Sequence, residues 1–569
     1  MTWTPRPLSP RFGQSRRRLQ ECYASVARLP DASRIAYLRG PEVTVTEEQV
    51  REVWAEAMAN PVTSVETANN IYIHVPFCKS ICNFCNYERL RPSNPRLLEA
   101  WLHRIIRSME TLGPVVNELE WGSVYIGGGT PSTLPAAMLE RLFQALKTHL
   151  NIPDDAHRAF EFDPLVMSGG RVDVLAKHGF THFSFGIQTL DPAVNKAHNR
   201  GPQNRDTITR RFNELYSRGL HDVACDFLLG LAGTTAEGIV EDIEWVLSEH
   251  KPLNVDVFQI APTPEYVDLH FKGDLNAFWA HLKPFQEVAI PALAEVGRRL
   301  GYRVNIEGGH IYTLKRIHTP EGFSLPPKRR YSYTQLTSDA GRPMHLLGFG
   351  PSARSQIFGY AAYQGRGPED GESDAPFYYL GHRLTLDDEV RTYLVHRLRD
   401  NNHVDRTAFR RVFGVDATEL MGVPLSAWYE DNKLEVTECS IQLVPESRRE
   451  RMLTLLWLVP DRHLEYEIAR RQQLNLTPDG VDFLTSELEP GRSLSGHHRF
   501  GGVDHEGRVH IITPDRVAMK FRVAPGLEAD EELRLVLESQ PPQSREQTKQ
   551  LTIAMAQVRG VMRAAARRL

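Results

Sequence analysis

The chain has 569 residues, with 67 lysines and arginines against 71 aspartates and glutamates, so its formal net charge is −4. This balance gives no basic excess that would favour nucleic acid as a partner. The N-terminus shows no apolar core that would predict export, and no run of roughly 18 to 20 apolar residues predicts a membrane span. Six cysteines at this length do not suggest a disulfide framework, so we expect a soluble cytoplasmic protein of about three or four domains.

The first predicted elements are two helices of a helical N-terminal extension, residues 1–69. One of them, Gln14–Leu29, carries the run Arg16–Arg18, which is more typical of a solvated helix face than of a binding patch. The other, Glu47–Asn60, is expected to cover the open side of the domain that follows.

Three cysteines with the spacing C-x3-C-x2-C follow the apolar segment Ile71–Pro76: Cys78, Cys82 and Cys85. Three thiolates can hold three irons of a 4Fe–4S cluster and leave the fourth iron open to an exchangeable partner. A structural zinc site is the main alternative, but it needs four protein ligands, and the nearby His74 lies in the apolar segment as a core histidine would. Three buried free cysteines are a second alternative.

Short apolar segments then alternate with amphipathic ones, which predicts right-handed crossovers and a parallel sheet. We expect a partial (β/α)6 parallel barrel, in which chemistry takes place at the C-terminal ends of the strands. The predicted strands are Ile71–Pro76, Ser123–Gly127, Ala159–Asp163, His182–Ile187, Asp222–Leu229 and Asn254–Ile260. The predicted helices between them include Leu97–Leu112, Ala136–Leu150, Asp206–Arg218 and Glu237–His250.

A glycine triplet, Gly127–Gly129, ends the second predicted strand and is followed by Thr130 and Pro131. Glycines let backbone amides and carbonyls approach a ligand closely. A tight turn is the simpler interpretation of the triplet alone. Its position one strand after the cysteine loop favours a binding role.

Several ordered motifs together resemble the radical S-adenosylmethionine (SAM) superfamily, and more narrowly the branch named for oxygen-independent coproporphyrinogen III oxidase. Within that branch the chain is most similar to the class C radical SAM methyltransferases and cyclopropanases. The motifs are Tyr72–Cys85, Gly127–Pro131, Phe185–Gln188, Asp226–Leu231, Leu347–Ala353 and Leu476–Gly480.

The resemblance implies a 4Fe–4S cluster whose open iron binds SAM, an electron from a donor such as flavodoxin or ferredoxin, and a 5′-deoxyadenosyl radical that abstracts hydrogen. Tyr72, Gly128 and Glu161 match family positions that contact this SAM. A second SAM is implied at a set of further positions, some of which could instead form a polar network at the barrel mouth. These positions are Phe84, Gly129, Thr130, Gln188, Arg200, Asp226 and Ala261.

Two departures from the branch bear on the reaction. Coproporphyrinogen enzymes carry a further cysteine where this chain has Cys85-Asn86-Tyr87, and the heme-handling members carry a His-Asn-x-x-Tyr-Trp motif where it has Lys328–Thr334. We therefore expect a transferase that uses two SAM molecules to methylate or cyclopropanate an sp2 carbon of a natural product or tetrapyrrole. The alternatives are oxidative decarboxylation of the coproporphyrinogen type and a heme-handling role.

Carbon transfer needs a base or proton relay, and the candidates at the barrel mouth are Tyr87, Glu88 and His198. For each residue a structural role is the competing interpretation: Tyr87 and Glu88 would line the loop, and His198 would pack against the following helix. The substrate is expected to be a small molecule, free or tethered to a carrier.

The barrel and its lid or substrate loop are assigned to residues 70–375, with a long helix at Ala277–Leu300 and a strand at Arg303–Glu307. Residues 376–492 are predicted to form a helical C-terminal domain. Residues 493–569 form an appended α+β tail, with a hairpin and a closing helix. Its predicted elements are Arg508–Thr513, Val517–Val523 and Gln547–Leu569.

Overall fold

The computed structural model describes residues 43–85, 87–305, 311–319, 342–367, 375–421 and 432–444, together with 425–426, 428–429, 455, 458 and five short strands between 492 and 537. Several predicted features lie outside the described residues. They are the helices Gln14–Leu29 and Gln547–Leu569, residue Asn86, and the segments Lys328–Thr334 and Leu476–Gly480.

Six parallel strands form the centre of the fold, and they pair in chain order. Each strand is followed by at least one helix, so every connection between them is a crossover. This confirms the predicted mixed α/β fold with a parallel core. The strands are β2 (Ala68–Val75), β3 (Ser123–Gly128), β4 (His157–Phe162), β5 (His182–Gln188), β6 (Asp222–Leu229) and β7 (Asn254–Gln259).

The crossover helices begin where the sequence provides capping residues. The helix Pro95–Val116, for example, has Asn94 as its N-cap and proline at its first position, where the missing N–H costs nothing. Helix α1 (Glu47–Ala59) precedes β2. The crossover helices up to β7 are α2 (Pro95–Val116), α3 (Ala136–His149), α4 (Gly169–Lys177), α5 (Pro192–Ala197), α6 (Arg205–Tyr216) and α7 (Ala236–Glu249).

Further strands extend both edges of the parallel core. On one side β10 (Met344–Phe349) pairs parallel with β2, and β11 (Arg354–Ile357), β12 (Ala361–Arg366), β13 (Tyr378–Arg383) and β1 (Val43–Thr46) follow antiparallel. On the other side β9 (Ile311–Arg316) pairs with β7, and β8 (Tyr302–Asn305) pairs with β9. Within the described residues the sheet is therefore open, with 13 strands and no pairing between its two ends.

The long helix predicted at Ala277–Leu300 is present as continuous helix from Leu275 to Arg299, but a π-helical turn inside it was not predicted. Helix α8 (Pro264–Phe271) and α9 (Leu275–Pro284) are followed by a π-helical turn, Phe285–Ala289, and then by α10 (Ile290–Arg299). Pro284 lacks the N–H that an α-helix interior requires, so the chain adopts the wider turn there.

The C-terminal region combines helices with a small sheet. Helices α11 (Leu386–Asn401), α12 (Arg406–Phe413) and α13 (Ala417–Leu420) accompany a three-stranded antiparallel sheet of β14 (His403–Asp405), β16 (Ser440–Leu443) and β15 (Leu434–Val436). Apolar side chains of this region form a hydrophobic cluster of their own.

In the tail, five antiparallel strands run from β17 (Arg492–Ser493) to β21 (Leu535–Leu537), and the central pair, Val509–Ile512 and Ala518–Val523, lies at the predicted hairpin. Among the described residues, no helix combines the length and the apolar character that spanning a bilayer requires.

Candidate functional site

The cysteine loop leaves the C-terminal end of β2 and closes on itself through backbone hydrogen bonds. The N–H of Cys78 donates to the carbonyl of Leu90 (3.0 Å), and the N–H of Leu90 donates to the carbonyl of Pro76 (2.7 Å). Inside this closure the guanidinium of Arg89 donates to the carbonyl of Cys82 (3.1 Å). These contacts hold the two ends of the loop together.

A second set of contacts ties the loop to the region after β5. The N–H of Asn83 donates to the carbonyl of His198 (3.3 Å), and the side-chain amide of Asn199 donates to the carbonyl of Ile81 (2.7 Å). The ring of Phe84 lies 5.9 Å from that of His198. The segment after helix α5 is therefore one wall of the site.

The three thiols lie close enough to act on one another electrostatically, and all three are free. The hydroxyl of Thr130 donates to the sulfur of Cys78 (3.4 Å), and a guanidinium N–H of Arg200 lies 4.0 Å from the sulfur of Cys82. Burial raises the pKa of Cys78 to about 12, so a cation must replace the proton if this thiol is to act as a thiolate ligand. Three thiols with two donors aimed at their sulfurs fit an iron–sulfur cluster.

His74 completes no zinc site with these cysteines. Its Nδ1 lies 3.1 Å from the hydroxyl of Tyr72, and its Nε2 lies 3.0 Å from the carbonyl of Glu88. Both ring nitrogens therefore already contact protein atoms. Burial lowers the pKa of His74, so the ring is neutral and supports the strand and loop around it.

The glycine triplet packs directly against His74 and Cys78. Gly128 has φ +115°, and a Cβ placed on it would lie 2.8 Å from the His74 ring. A Cβ on Gly129 would lie 3.0 Å from the sulfur of Cys78. Only glycine allows the backbone to come this close to the cysteine loop.

Glu161, at the end of β4, joins the glycine loop to the interior of the sheet. Its carboxylate accepts the N–H of Gly128 (3.2 Å) and the hydroxyl of Tyr125. Burial raises the pKa of this carboxyl, against the lowering effect of the two hydrogen bonds. The structure thus brings together Tyr72, Gly128 and Glu161 beside the cysteine loop.

Arg200 connects the cysteine loop with strand β5. Its guanidinium donates to the carbonyl of Gly186 (2.6 Å) and lies 3.5 Å from a carboxylate oxygen of Asp163. The side chain of Gln188, whose φ is +67°, lies over the same glycine. Asp163, which the sequence did not single out, is the residue directly after β4.

Two aspartates lie side by side on neighbouring parallel strands, since Asp226 of β6 is in register with Asp256 of β7. The hydroxyl of Ser184 donates to Asp226 (3.3 Å). Burial raises the pKa of Asp226 well above its usual range, and the carboxyls of Asp256 and Glu161 raise it further. The sequence analysis did not single out Asp256. A carboxylate between the apolar residues Val255 and Val257 of a predicted parallel strand could have indicated a functional residue.

The three predicted proton-relay residues lie in different environments. Tyr87 is 56% exposed. The carboxylate of Glu88 accepts the hydroxyl of Ser352. His198 is buried, with Nδ1 2.9 Å from the carbonyl of Val194 and Nε2 3.1 Å from the hydroxyl of Tyr266. These contacts favour the structural interpretation of His198. Ala261 lies two residues beyond β7.

The site agrees with what comparison with known proteins finds. Residues 72–246 match the family model described as the radical SAM superfamily. The chain is 25% identical to the oxygen-independent coproporphyrinogen III oxidase of Salmonella typhimurium over 426 residues, which is 71% of this chain and 88% of that protein. It is 23% identical to the heme chaperone HemW of Bacillus subtilis over 385 residues, or 66% and 95% of the two chains.

Among solved structures, coproporphyrinogen III oxidase (HemN) from Escherichia coli matches with a TM-score of 0.58 at 20% identity. The match covers 74% of this chain and 96% of that one. At this identity the likeness shows a shared fold.

Proposed function

Because the chain carries a radical SAM domain and is homologous to oxygen-independent coproporphyrinogen III oxidase, we propose that it is an iron–sulfur oxidoreductase that removes carbon dioxide from a propionate side chain of a tetrapyrrole. The main support for this proposal is the extent of the similarity to the Salmonella enzyme. It spans 88% of the Salmonella enzyme and continues well beyond the radical SAM domain at residues 72–246. HemW, the heme chaperone, is also named for a tetrapyrrole.

Transfer of a methyl or methylene carbon, which the sequence Cys85-Asn86-Tyr87 favours, has no support from these comparisons. Neither relative is named for carbon transfer. Oxidative decarboxylation is therefore the better interpretation.

In this function Cys78, Cys82 and Cys85 hold the 4Fe–4S cluster. The cluster and its SAM, when bound, supply a 5′-deoxyadenosyl radical that takes a hydrogen atom from the substrate. Tyr72, Gly128 and Glu161 bind this SAM, and Glu161 offers a buried carboxylate to ribose hydroxyls. The guanidinium of Arg200 beside Cys82 places a positive charge next to the ligand sulfur.

A second SAM remains part of the proposal. Its support is that Thr130 and Arg200 contact cysteine sulfurs of the loop that contains Phe84, and that Gln188 and Arg200 lie over the same glycine. Equilibrium dialysis of labelled SAM against the cluster-loaded protein tests it. Two SAM molecules per chain support the second site, and one per chain overturns it while leaving the first site intact.

The proposed reaction balances without a proton from the protein. Loss of one hydrogen atom from the propionate β-carbon and cleavage of the bond to its carboxylate give a vinyl group, carbon dioxide and one electron. That electron passes to an external one-electron acceptor. Asp226 and Asp256, whose pKa values are raised by burial, keep their protons more readily than exposed carboxyls. They can hydrogen-bond a ligand without adding charge that would repel the substrate's carboxylates.

The test is anaerobic turnover of coproporphyrinogen III with methyl-deuterated SAM, reduced flavodoxin and an added one-electron acceptor. We expect 5′-deoxyadenosine and carbon dioxide. Formation of S-adenosylhomocysteine with deuterium in the tetrapyrrole would establish carbon transfer instead. Stoichiometric heme binding with no consumption of SAM would establish a heme-handling role.

The matched variants are Cys82→Ala and Cys439→Ala. Cys82→Ala should lose the visible absorbance of the cluster and all product, because two thiolates cannot hold the cluster in place of three. Cys439 is an exposed free cysteine far along the chain, so its replacement should leave iron content and turnover unchanged. Full iron content in Cys82→Ala would contradict the cluster assignment itself.

A further inference from the structure

A second group of metal-ligating side chains lies at the opposite end of the parallel sheet from the cysteines. His157 is the first residue of β4, His182 is the first of β5 and Asp222 is the first of β6. Each offers one potential ligand atom, and these atoms all lie within 4.8 Å of one another. Three adjacent strands therefore contribute one ligand each at their N-terminal ends.

This group is separate from the site around the cysteines. Side chains at every second position of a strand point to the same face, so His157 shares a face with Glu161, and Asp222 shares one with Asp226. Four residues of strand span about 13 Å. His157 and Asp222 therefore lie on the same face of the sheet as Glu161 and Asp226, about that distance below them. His182 lies between the two levels, near enough to Glu161 for each to affect the pKa of the other.

The contacts within the group leave one nitrogen without a partner. Nδ1 of His182 lies 2.9 Å from a carboxylate oxygen of Asp222, which makes an ion pair when the ring is protonated. The ring of His157 lies 5.4 Å from that of His182. Nδ1 of His157 is buried and has no hydrogen-bond partner among the described residues. Leaving a buried nitrogen unpaired costs its desolvation free energy with nothing in return.

We propose that His157, His182 and Asp222 bind a divalent transition-metal ion, of which Zn²⁺ is the best match, and that the ion joins the N-terminal ends of three neighbouring strands. Two imidazoles and one carboxylate are a ligand set that zinc uses, with water as the fourth ligand. His182 and Asp222 retain some exposure, at 21% and 11%, so an ion and a water molecule can reach the site.

The geometry requires small side-chain movements. At zinc–ligand distances near 2.0 to 2.1 Å, two ligands of a tetrahedral site stand about 3.3 Å apart. The 2.9 Å contact between His182 and Asp222 has to open slightly, and His157 has to move toward it from a separation that does not exceed 4.8 Å. Rotation about side-chain bonds supplies displacements of this size without moving the strands.

The test uses the full chain with its iron–sulfur cluster loaded, so that the cysteines are not free to take up zinc. Equilibrium dialysis against Zn²⁺, with zinc and iron measured on the same sample, should show about one zinc per chain and unchanged iron. His157→Gln should weaken zinc binding by more than about 10-fold, the smallest effect usual even for residues that only support metal ligands. Zinc should also raise the Tm of the protein and leave that of the variant unchanged.

His157→Gln is the informative variant because it leaves the contact between His182 and Asp222 in place. The matched control is His103→Gln, an exposed histidine of helix α2, which should bind zinc as the unaltered protein does. X-ray absorption at the zinc edge should show nitrogen and oxygen scatterers near 2.0 Å. Sulfur scatterers near 2.3 Å, or no zinc retained by the unaltered protein, would overturn the proposal.

This outcome is independent of the proposed reaction. Zinc binding can fail while coproporphyrinogen is still decarboxylated, and it can succeed when no turnover is found.

Discussion

The hydroxyl of Thr130 donates a hydrogen bond to the sulfur of Cys78 across 3.4 Å, although 52 residues of sequence separate the two. The contact joins the glycine-rich segment after β3 to the cysteine loop after β2. It arises because parallel strands that are neighbours in the sheet end at the same edge. The segment proposed to supply backbone for SAM is therefore also in contact with the sulfur of a proposed cluster ligand.

This contact leads to the first prediction, for Thr130→Val. A hydrogen bond to a ligand sulfur stabilises the more negative, reduced cluster, so its removal should make the reduction potential more negative. Iron content should not change, because valine keeps the shape of threonine and all three cysteines remain. A redox titration followed by electron paramagnetic resonance measures the potential. Thr111→Val, whose hydroxyl donates only to a helix carbonyl, is the control, and an unchanged potential in Thr130→Val would contradict the prediction.

The second prediction concerns Gly128→Ala. Its φ of +115° and the His74 ring 2.8 Å from a new Cβ add backbone strain to steric overlap. We expect a loss of about 1 to 3 kcal/mol in the free energy of unfolding and a clear loss of SAM affinity. Urea unfolding and SAM titration of the cluster-loaded protein measure the two effects.

The control for Gly128→Ala is Gly414→Ala, which has φ +75° and no atom within 4 Å of the added Cβ. It should cost only the left-handed backbone penalty, about 1 to 2 kcal/mol, and leave SAM affinity unchanged. Equal SAM affinities in the two variants would show that the glycine loop does not contact the cofactor.

The third prediction is a pH dependence of stability from His345. The backbone N–H of Phe358 donates to its Nδ1 (3.1 Å), so that nitrogen is an unprotonated acceptor. Burial lowers the pKa of His345 from 6.5 to about 4. Between pH 4 and pH 6.5 the unfolded chain therefore binds a proton at this histidine, whereas the folded protein does not. This contribution to stability is complete above pH 6.5 and is lost as the pH falls toward 4.

Linkage gives the size of this effect as about 2 kcal/mol between pH 7 and pH 5. In His345→Gln the side-chain oxygen can still accept the N–H of Phe358 but does not titrate. Urea unfolding of both proteins at the two pH values measures the difference, and the variant should lose less stability on acidification. Parallel pH profiles would exclude His345 as the titrating group.

The fourth prediction compares two aspartates of the C-terminal region. Asp416 accepts hydrogen bonds from Arg406 (3.0 Å) and Arg410 (2.7 Å), both of which lower its pKa against the effect of burial. Asp416→Asn leaves the buried Arg406 without a counter-charge and should cost about 3 to 5 kcal/mol.

Asp387→Asn removes the partner of Arg391 at the surface, where the ion pair spans 2.8 Å but the carboxylate is half exposed. That change should cost less than about 1 kcal/mol. Unfolding by urea at neutral pH distinguishes the two variants. Equal losses in the free energy of unfolding would show that the buried Arg406–Asp416 pair matters no more for stability than the surface pair.

Local sequence already predicted the parallel core and the cysteine loop. Strand β6 was predicted with its observed bounds, Asp222–Leu229, because a run of apolar residues flanked by turn residues is a local pattern. The interruption after α9 was missed, since a proline inside a long amphipathic segment can be absorbed by a π turn as well as by a helix end.

Contacts between strands could not be predicted from local sequence patterns. Asp226 was singled out from a motif, but its neighbour Asp256 depends on the register of β6 against β7, which no single segment encodes. The sequence also could not show what the side chain of His198 contacts. In the structure it contacts Val194 and Tyr266.

The sequence by itself thus determined which residues can hold an iron–sulfur cluster, because the spacing of Cys78, Cys82 and Cys85 is a property of one short loop. Only the tertiary structure decided that His157, His182 and Asp222 stand together. They come from three separate strands, and they meet because the crossover helices return the chain to the same end of the sheet each time.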